Sequence, residues 1–279
     1  MIRYAHMIFP QLFANGLISG SIIALVAAGF SLIYSTNKFA HFAHGAVVAA
    51  AGYILFTFSS LLGLPFWLSC LLCVCATALL GWLISVLLYQ RLQAKNSSAV
   101  ILLIASIAIM IFIENMLLIL FGARVQTLDV LPVQRGVDVL GAVVTPLQMI
   151  IVAVSFTLFF LLFLFAKKSR LGIVMRAVAD NPGLAAMTGI NTRRIQGWSF
   201  VIGSGLAGVA GILIGLEQHL FPAMGTNLIV KGFTGAVIGG VTSLPGAILG
   251  SYVLGFTENF GIWFLPSAWK EAIAFVLLL

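Results

Sequence analysis

The sequence predicts an all-α polytopic membrane protein, a single transmembrane domain over 1–279 with about eight membrane-spanning helices. Three observations predict it. Hydrophobic residues make up 62% of the chain and charged residues only 8%, whereas a soluble domain carries roughly 25% charged residues. The 52 residues of 39–90 contain no Asp, Glu, Lys or Arg; as one helix at about 1.5 Å per residue they would overshoot a ~30 Å hydrocarbon core more than twofold. The formal charge of +7 sits in short segments between apolar runs, the pattern of a positive-inside bias rather than of a nucleic-acid patch. So few charges cannot cover a globule in water. A soluble enzyme, a disordered chain and a nucleic-acid binder are excluded.

The elements follow in order. The first apolar run predicts a helix at about 9–35, longer than the roughly 7–15-residue core of a signal peptide and without a clear cleavage site. Gly63-Leu64-Pro65 divides the uncharged stretch into helices at 44–62 and 66–89. Cys70, Cys73 and Cys75 all fall in the second of these; at lipid depth they read as small apolar fillers, not metal ligands. The uncharged stretches 96–113, 139–166, 195–216 and 232–257 predict helices at 98–121, 147–166, 197–216 and 233–256. A last helix at 270–279 is too short to span alone.

Small residues recur at four-residue spacing: Ser199, Gly203, Ala207, Gly211 and Gly215 on one helix face, with the pairs Gly16/Gly20, Gly235/Gly239 and Gly246/Gly250. Such faces let helix backbones approach closely. They predict a compact bundle.

Orientation comes from the loops. The segment 167–194 holds Lys167, Lys168, Arg170, Arg176, Arg193 and Arg194 against Asp180, and 90–98 holds Arg91 and Lys95. In 122–146, Arg124 and Arg135 are balanced by Asp129 and Asp138. The positive-inside rule puts the first two segments in the cytoplasm and the third outside, with the N-terminus outside.

The longest polar stretch on the basic side is 169–194. Asp180 or Asn181 caps a helix start, Pro182 suits the first helical position, and Gly189 suits a helix end. Two short helices, at about 170–179 and 182–188, are expected. Their apolar faces (Ile173, Val174, Ala177 and Val178, then Leu184, Ala185 and Met187) lack an obvious core in the sequence. They read either as an interfacial amphipathic loop or as a docking element for a soluble partner.

The run Arg176-Ala-Val-Ala-Asp180-Asn181-Pro182-x-x-Ala185-Ala186-x-x-Gly189-Ile190 resembles the cytoplasmic coupling loop of ATP-binding-cassette importer permeases, most closely the branched-chain (hydrophobic and amide) amino acid family. Ala185, Ala186 and Gly189 match that signature, whose leading acid is replaced by Leu184. Three further stretches resemble the same family: Gly29-Phe-Ser-Leu-Ile-Tyr34 with Phe42-Ala-His-Gly45; Pro222-x-Met224-Gly225 with Lys231-Gly-Phe233; and Gly239-Gly-Val-x-Ser-Leu-Pro-Gly-Ala247-x-x-Gly250. The motifs appear in order along nearly the whole chain. His41 stands where the family usually has Asn, and Ala46 where an acid commonly follows the glycine.

The resemblance implies a permease in the bacterial inner membrane that translocates branched-chain or related amino acids. It implies two ATP-binding subunits gripping the loop 167–196, a second homologous permease subunit and a periplasmic solute-binding protein. The coupling residues carried over are Arg176, Asp180, Asn181, Pro182, Ala185, Ala186 and Gly189. No phosphate-cradling Gly-rich loop, zinc-protease helix or nucleophile elbow occurs in the sequence, which fits a chain that is no enzyme, carries no cofactor and is driven by ATP on other subunits.

Helix breaks inside a membrane free backbone groups that protein or a water-filled cavity must satisfy. Breaks at 39–45 and 242–246, one in each half, predict a translocation pathway between halves related by an inverted repeat. Candidate path residues are His41 and His44 at the first break, Gly239, Gly240 and Pro245 at the second, and Glu114 and Asn115 deep in the fourth span. A carboxylate at depth costs several kcal/mol unless paired or hydrated. Glu114 therefore also supports an alternative, an ion-coupled secondary transporter. For Glu114 and Asn115 the competing reading is a structural hydrogen bond between helices, and for His41 and His44 a satisfied structural donor.

Overall fold

A computed structural model describes residues 2–128, 135–264, 266 and 269–278, with side chains from Ile8 onward and without that of Glu271. Asp129, part of the charge balance of 122–146, lies outside the described residues. The elements are α1 (Ile2–Asn37), α2 (Ala43–Phe56), α3 (Phe66–Ile84), α4 (Gln90–Ala94), α5 (Ala99–Phe121), α6 (Pro146–Lys168), α7 (Arg170–Asp180), α8 (Pro182–Met187), α9 (Thr192–Glu217), α10 (Met224–Gly239), α11 (Leu244–Gly261) and α12 (Lys270–Leu278). A π-turn at Ser85–Tyr89 joins α3 to α4, so helix continues from Phe66 to Ala94. An antiparallel hairpin, β1 (Val137–Val139) and β2 (Ala142–Val144), precedes α6.

Among the described residues six helices are long and apolar enough to cross a membrane, and α10 with α11 forms one further pair bent by 116°. The expected count of about eight is not confirmed among the described residues. The helix expected at 233–256 is two helices: Gly240, at φ +95°, ends α10, and Ser243 caps α11 with Pro245 in its first turn. The chain enters along α10, turns close to α1 (Ser31 Oγ donates to Val241 O, 2.8 Å) and returns along α11 to set Glu258 beside Lys231. The Ser31 bond satisfies a carbonyl that the break frees.

Close approach of small residues builds the centre. A methyl built on Gly239 meets the Gly246 carbonyl, and one on Gly250 meets the Gly235 carbonyl, so the two predicted Gly pairs of α10 and α11 pack on each other. Gly16 and Gly20 of α1 lie against Phe256 and Tyr252 of α11. On α9, Gly203 faces Ile33 and the Gly29 backbone, while Gly211 faces Val48 and Ala51 of α2. With no hydrophobic drive between helices in lipid, this backbone contact is what holds the spans together. Over an apolar 18-residue stretch of each span, 83% of α1 and 72% of α9 is buried, against 17% of α5 and 22% of α6. The peripheral helices leave wide apolar faces for lipid or another subunit.

The molecule has two distinct ends. At the basic end, Gln90 Nε2 donates to Arg193 O (3.4 Å) and Lys38 Nζ to Ala179 O (2.6 Å), gathering 90–98, the α1–α2 break and α7–α8. At the opposite end, Gln126 and Leu220 pair through their backbones, and Gln11 bonds the backbone of Val143 in the hairpin. Charged loops thus separate from near-neutral ones as loop parity requires.

Candidate functional site: the basic-end hairpin and the two helix breaks

The α7–α8 hairpin is built by three successive caps. Ser169 Oγ accepts from Gly172 N (2.9 Å), Asn181 Oδ1 from Leu184 N (3.0 Å) and Asn191 Oδ1 from Arg194 N (3.1 Å). Of the two capping candidates at the second helix, Asn181 is the one used. Gly172 lies against the backbone of Phe165 and Ala166, letting α7 fold back on the end of α6. Gly189, at φ +83°, ends α8, with Ile190 N donating to Ala185 O (3.1 Å).

The hairpin has a core, contrary to the sequence-based expectation. Met175, Val178, Ala185 and Ile195 are buried together, with Leu32, Phe165 and Ile202 packed against them from α1, α6 and α9. Part of the apolar surface of α7 is spent on its own protein, while Ile173 and Ala177 stay exposed. What remains outside is a compact outward face: Met187 is 85% and Leu184 62% exposed, flanked by exposed Arg176, Asp180, Asn181, Pro182, Ala186 and Gly189. Of the predicted coupling residues only Ala185 is buried.

Behind the hairpin lies a cavity of about 440 Å³ that touches Arg176, Asp180, Ser35, Thr36 and the α10–α11 turn at Thr242–Pro245. The basic end is further knitted by Ser199, whose Oγ lies 2.8 Å from Thr36 Oγ1 and accepts from Asn37 Nδ2 at 3.0 Å. Lys38, at φ +59°, is the residue at which α1 stops. Its ammonium caps a carbonyl in the last turn of α7. One contact therefore joins the outward hairpin to the first break.

The predicted path residues do not form one locus. His41 is fully buried, its Nδ1 2.9 Å from Tyr89 Oη, and its ring sits 4.9 Å from that of Phe200. His44 is buried against Gly29. The nearby Ala43 N–H, freed by the break, donates to Ser106 Oγ (3.1 Å). Glu114, half-buried on α5, accepts a hydrogen bond from Thr226 of α10. Asn115 is exposed and donates to Ile111 O on its own helix (2.7 Å). Gly239, Gly240 and Pro245 lie at the basic-end turn.

Sequence reading missed one charged group. Lys231 of α10 sits 3.1 Å from both carboxylate oxygens of Glu258, which is 1% exposed. Lys270 of α12 joins them, donating to Asn259 Oδ1 (3.1 Å). Burial pulls its ammonium below the ordinary lysine range, Glu258 opposes that shift, and Lys231 adds to it. A lone lysine between apolar runs was the available signal. No group of three or more metal-ligating side chains occurs among the described residues.

Comparison with known proteins places this geometry. A family model described as the permease component of branched-chain amino acid transport systems matches residues 12–279. The high-affinity branched-chain amino acid transport system permease protein BraD of Pseudomonas aeruginosa is 33% identical, over 97% of this chain and 92% of its own. LivH of Escherichia coli, of the same description, is 32% identical over the same shares. Among solved structures, PsaBC from Streptococcus pneumoniae in complex with Fab shares the fold, with a TM-score of 0.51 at 16% identity over 95% of this chain and 88% of that one. Matched along nearly its whole length by the family and by relatives a third identical, the chain belongs to the permease components of branched-chain amino acid transport systems.

Proposed function

We infer that this chain is the inner-membrane permease subunit of an ATP-binding-cassette importer for branched-chain or related amino acids. Two ATP-binding subunits dock on the basic-end hairpin, a second homologous permease completes the pathway, and a periplasmic binding protein delivers solute to the opposite end. The basic end is then cytoplasmic by the positive-inside rule. The observation that carries this reading is the outward face of α7–α8: its inner side is locked on α1, α6 and α9, and its outer side presents Leu184 and Met187 between charged residues.

The mechanism is a relay. Closure of the ATPases on ATP pushes the hairpin through Arg176, Asp180–Pro182, Ala186 and Gly189. Its rigid core, in which Ala185 sits, passes the push to α6, α9 and, through Lys38, to the α1–α2 break. The α10–α11 turn at Gly239, Gly240 and Pro245 shares the cavity behind the hairpin and moves with it. Asn115 puts a polar group on the exposed face of α5, where a second permease would enclose the path, and Glu114 beside it is tied to Thr226 of α10. His41 and His44 act only through the break they stabilise.

An ion-coupled secondary transporter through Glu114 draws no support from the family match. Reconstituted uptake separates the two readings. Glu114→Gln is expected to leave L-leucine uptake ATP-dependent and indifferent to a proton ionophore. Uptake without ATPase subunits, abolished by that substitution or by the ionophore, refutes the importer reading.

A further inference from the structure

A cavity of about 470 Å³ opens at the end opposite the hairpin, walled by α1, α9, α10, α11 and α12. Among the described residues its charged lining is Lys231, Lys270, Glu217 and Glu258, two cations against two anions, with His219 and Asn227 beside them. Each is held by a neighbour: Lys231 by Glu258, Lys270 by Asn259, and Glu217 Oε1 by Gln148 Nε2 at 2.7 Å. The acids and bases lie on different elements, Glu217 at the end of α9 and the lysines on α10 and α12. Between them the α1 wall is mostly apolar, with Ile18, Ile22 and Ile23 beside Ser19.

Stability does not account for this arrangement. Taking charges out of water costs several kcal/mol per ion, and an apolar substitute for a buried pair is often neutral or better. Glu258 is nevertheless buried at the end of a helix otherwise rich in Gly, Leu and Phe. Ammonium groups have three donors and carboxylates about four lone-pair sites. Lys270 uses one donor on Asn259, and Glu217 one acceptor site on Gln148, among the described residues. Both side chains line the cavity with hydrogen-bonding capacity beyond those bonds. Held charges, an apolar wall and a volume in the ~300–1,000 Å³ range are the makings of a small-molecule site.

We propose that this cavity is a low-affinity receiving site for a zwitterionic amino acid, its carboxylate on Lys270 and Lys231, its ammonium on Glu217, and its aliphatic side chain on the α1 isoleucines. Two cations facing two anions in the described lining accept a dipolar solute and leave a net anion or cation half-compensated. Partner charges are already oriented, so binding requires little reordering. The lining of the site includes no residue of either helix break and does not include Glu114. This inference rests on the amino-acid cargo inferred above.

The test uses the assembled transporter in nanodiscs, with native cysteines replaced and Ser19, which lines the cavity, changed to Cys. Labelling by an impermeant thiol reagent is followed with L-leucine, with leucinamide (a cation) or with 4-methylpentanoate (an anion). L-leucine is expected to slow labelling by 1 + [L]/Kd, about threefold at twice its Kd, and the two analogues to protect weakly. Lys270→Met is expected to abolish protection by L-leucine but not by leucinamide. Glu217→Gln, on another element, is expected to abolish protection by L-leucine but not by 4-methylpentanoate. Equal protection by all three compounds, no protection by L-leucine, or full protection in both variants overturns the proposal. Uptake is measured on the same preparation: leucine that is transported but does not protect sinks this site alone, and leucine that is not transported sinks the cargo reading beneath it.

Discussion

Replacing Gly239 by Ala adds one methyl group at the tightest crossing in the bundle. That methyl meets the carbonyl of Gly246 and, at 2.9 Å, the nitrogen of Ala247. All these atoms are backbone, so no rotamer change relieves the contact and α10 must move off α11. Overpacking costs about 1–3 kcal/mol, and a rigid neighbour puts the cost at the upper end. Ala regains at most about 1 kcal/mol of helix propensity over Gly. The expected net loss is about 2 kcal/mol. Gly205 on α9 is the control: a methyl there finds only Val74 Cγ1 at 4.0 Å, so Gly205→Ala keeps the propensity gain without the clash. Folded fraction against SDS in mixed micelles reads both. The two variants are expected to move in opposite directions, separated by about 3 kcal/mol. Equal stability of the two refutes the claim that backbone contact at the small-residue crossings holds the spans.

Two further perturbations follow from named contacts. Lys38→Met keeps the aliphatic stem and removes the ammonium from Ala179 O; an exposed charged contact is worth up to about 1 kcal/mol, so leucine transported per ATP should fall by as much as about fivefold while ATPase copurification is unchanged. Lys231→Met leaves Glu258 buried beside an apolar group and should cost about 3 kcal/mol in the SDS titration, the low end because Lys270 is also near; the double variant with Glu258→Leu should recover most of it.

Spans were legible wherever an apolar run ended at a charge or a cap. The helix expected at 98–121 is Ala99–Phe121, and that at 147–166 is Pro146–Lys168, started by Thr145 and stopped near Lys167 and Lys168. Legibility failed where hydropathy continued through a turn. Over 233–256 the Gly/Pro cluster announced a break at 242–246 while hydropathy alone gave one helix, because Gly, Val and Ala are as apolar in a turn as in a helix, and α10 begins earlier, at Met224, because Thr226, Asn227 and Lys231 mask its start. The hairpin before α6 was read as loop, since three-residue strands are too short to show alternation. The two helices of the basic-end hairpin were legible as a cap pattern. Their buried core was not, because Met175, Val178 and Ala185 pack against Leu32 and Phe165, which lie in other helices. The Lys38–Ala179 and Lys231–Glu258 contacts join residues on separate elements, 141 and 27 positions apart, and no local pattern announces either.

The central claim is that Leu184 and Met187 form a surface gripped from the cytoplasm by an ATPase. Single cysteines at Met187 and at Leu140, the exposed turn of the opposite-end hairpin, are compared in intact cells and in inside-out vesicles. The account predicts that an impermeant thiol reagent reaches position 187 only in the vesicles and position 140 only in the cells, and that a bifunctional reagent joins position 187 to an ATP-binding subunit. Labelling of position 187 from outside intact cells, or its failure to join any ATPase in the assembled transporter, contradicts it.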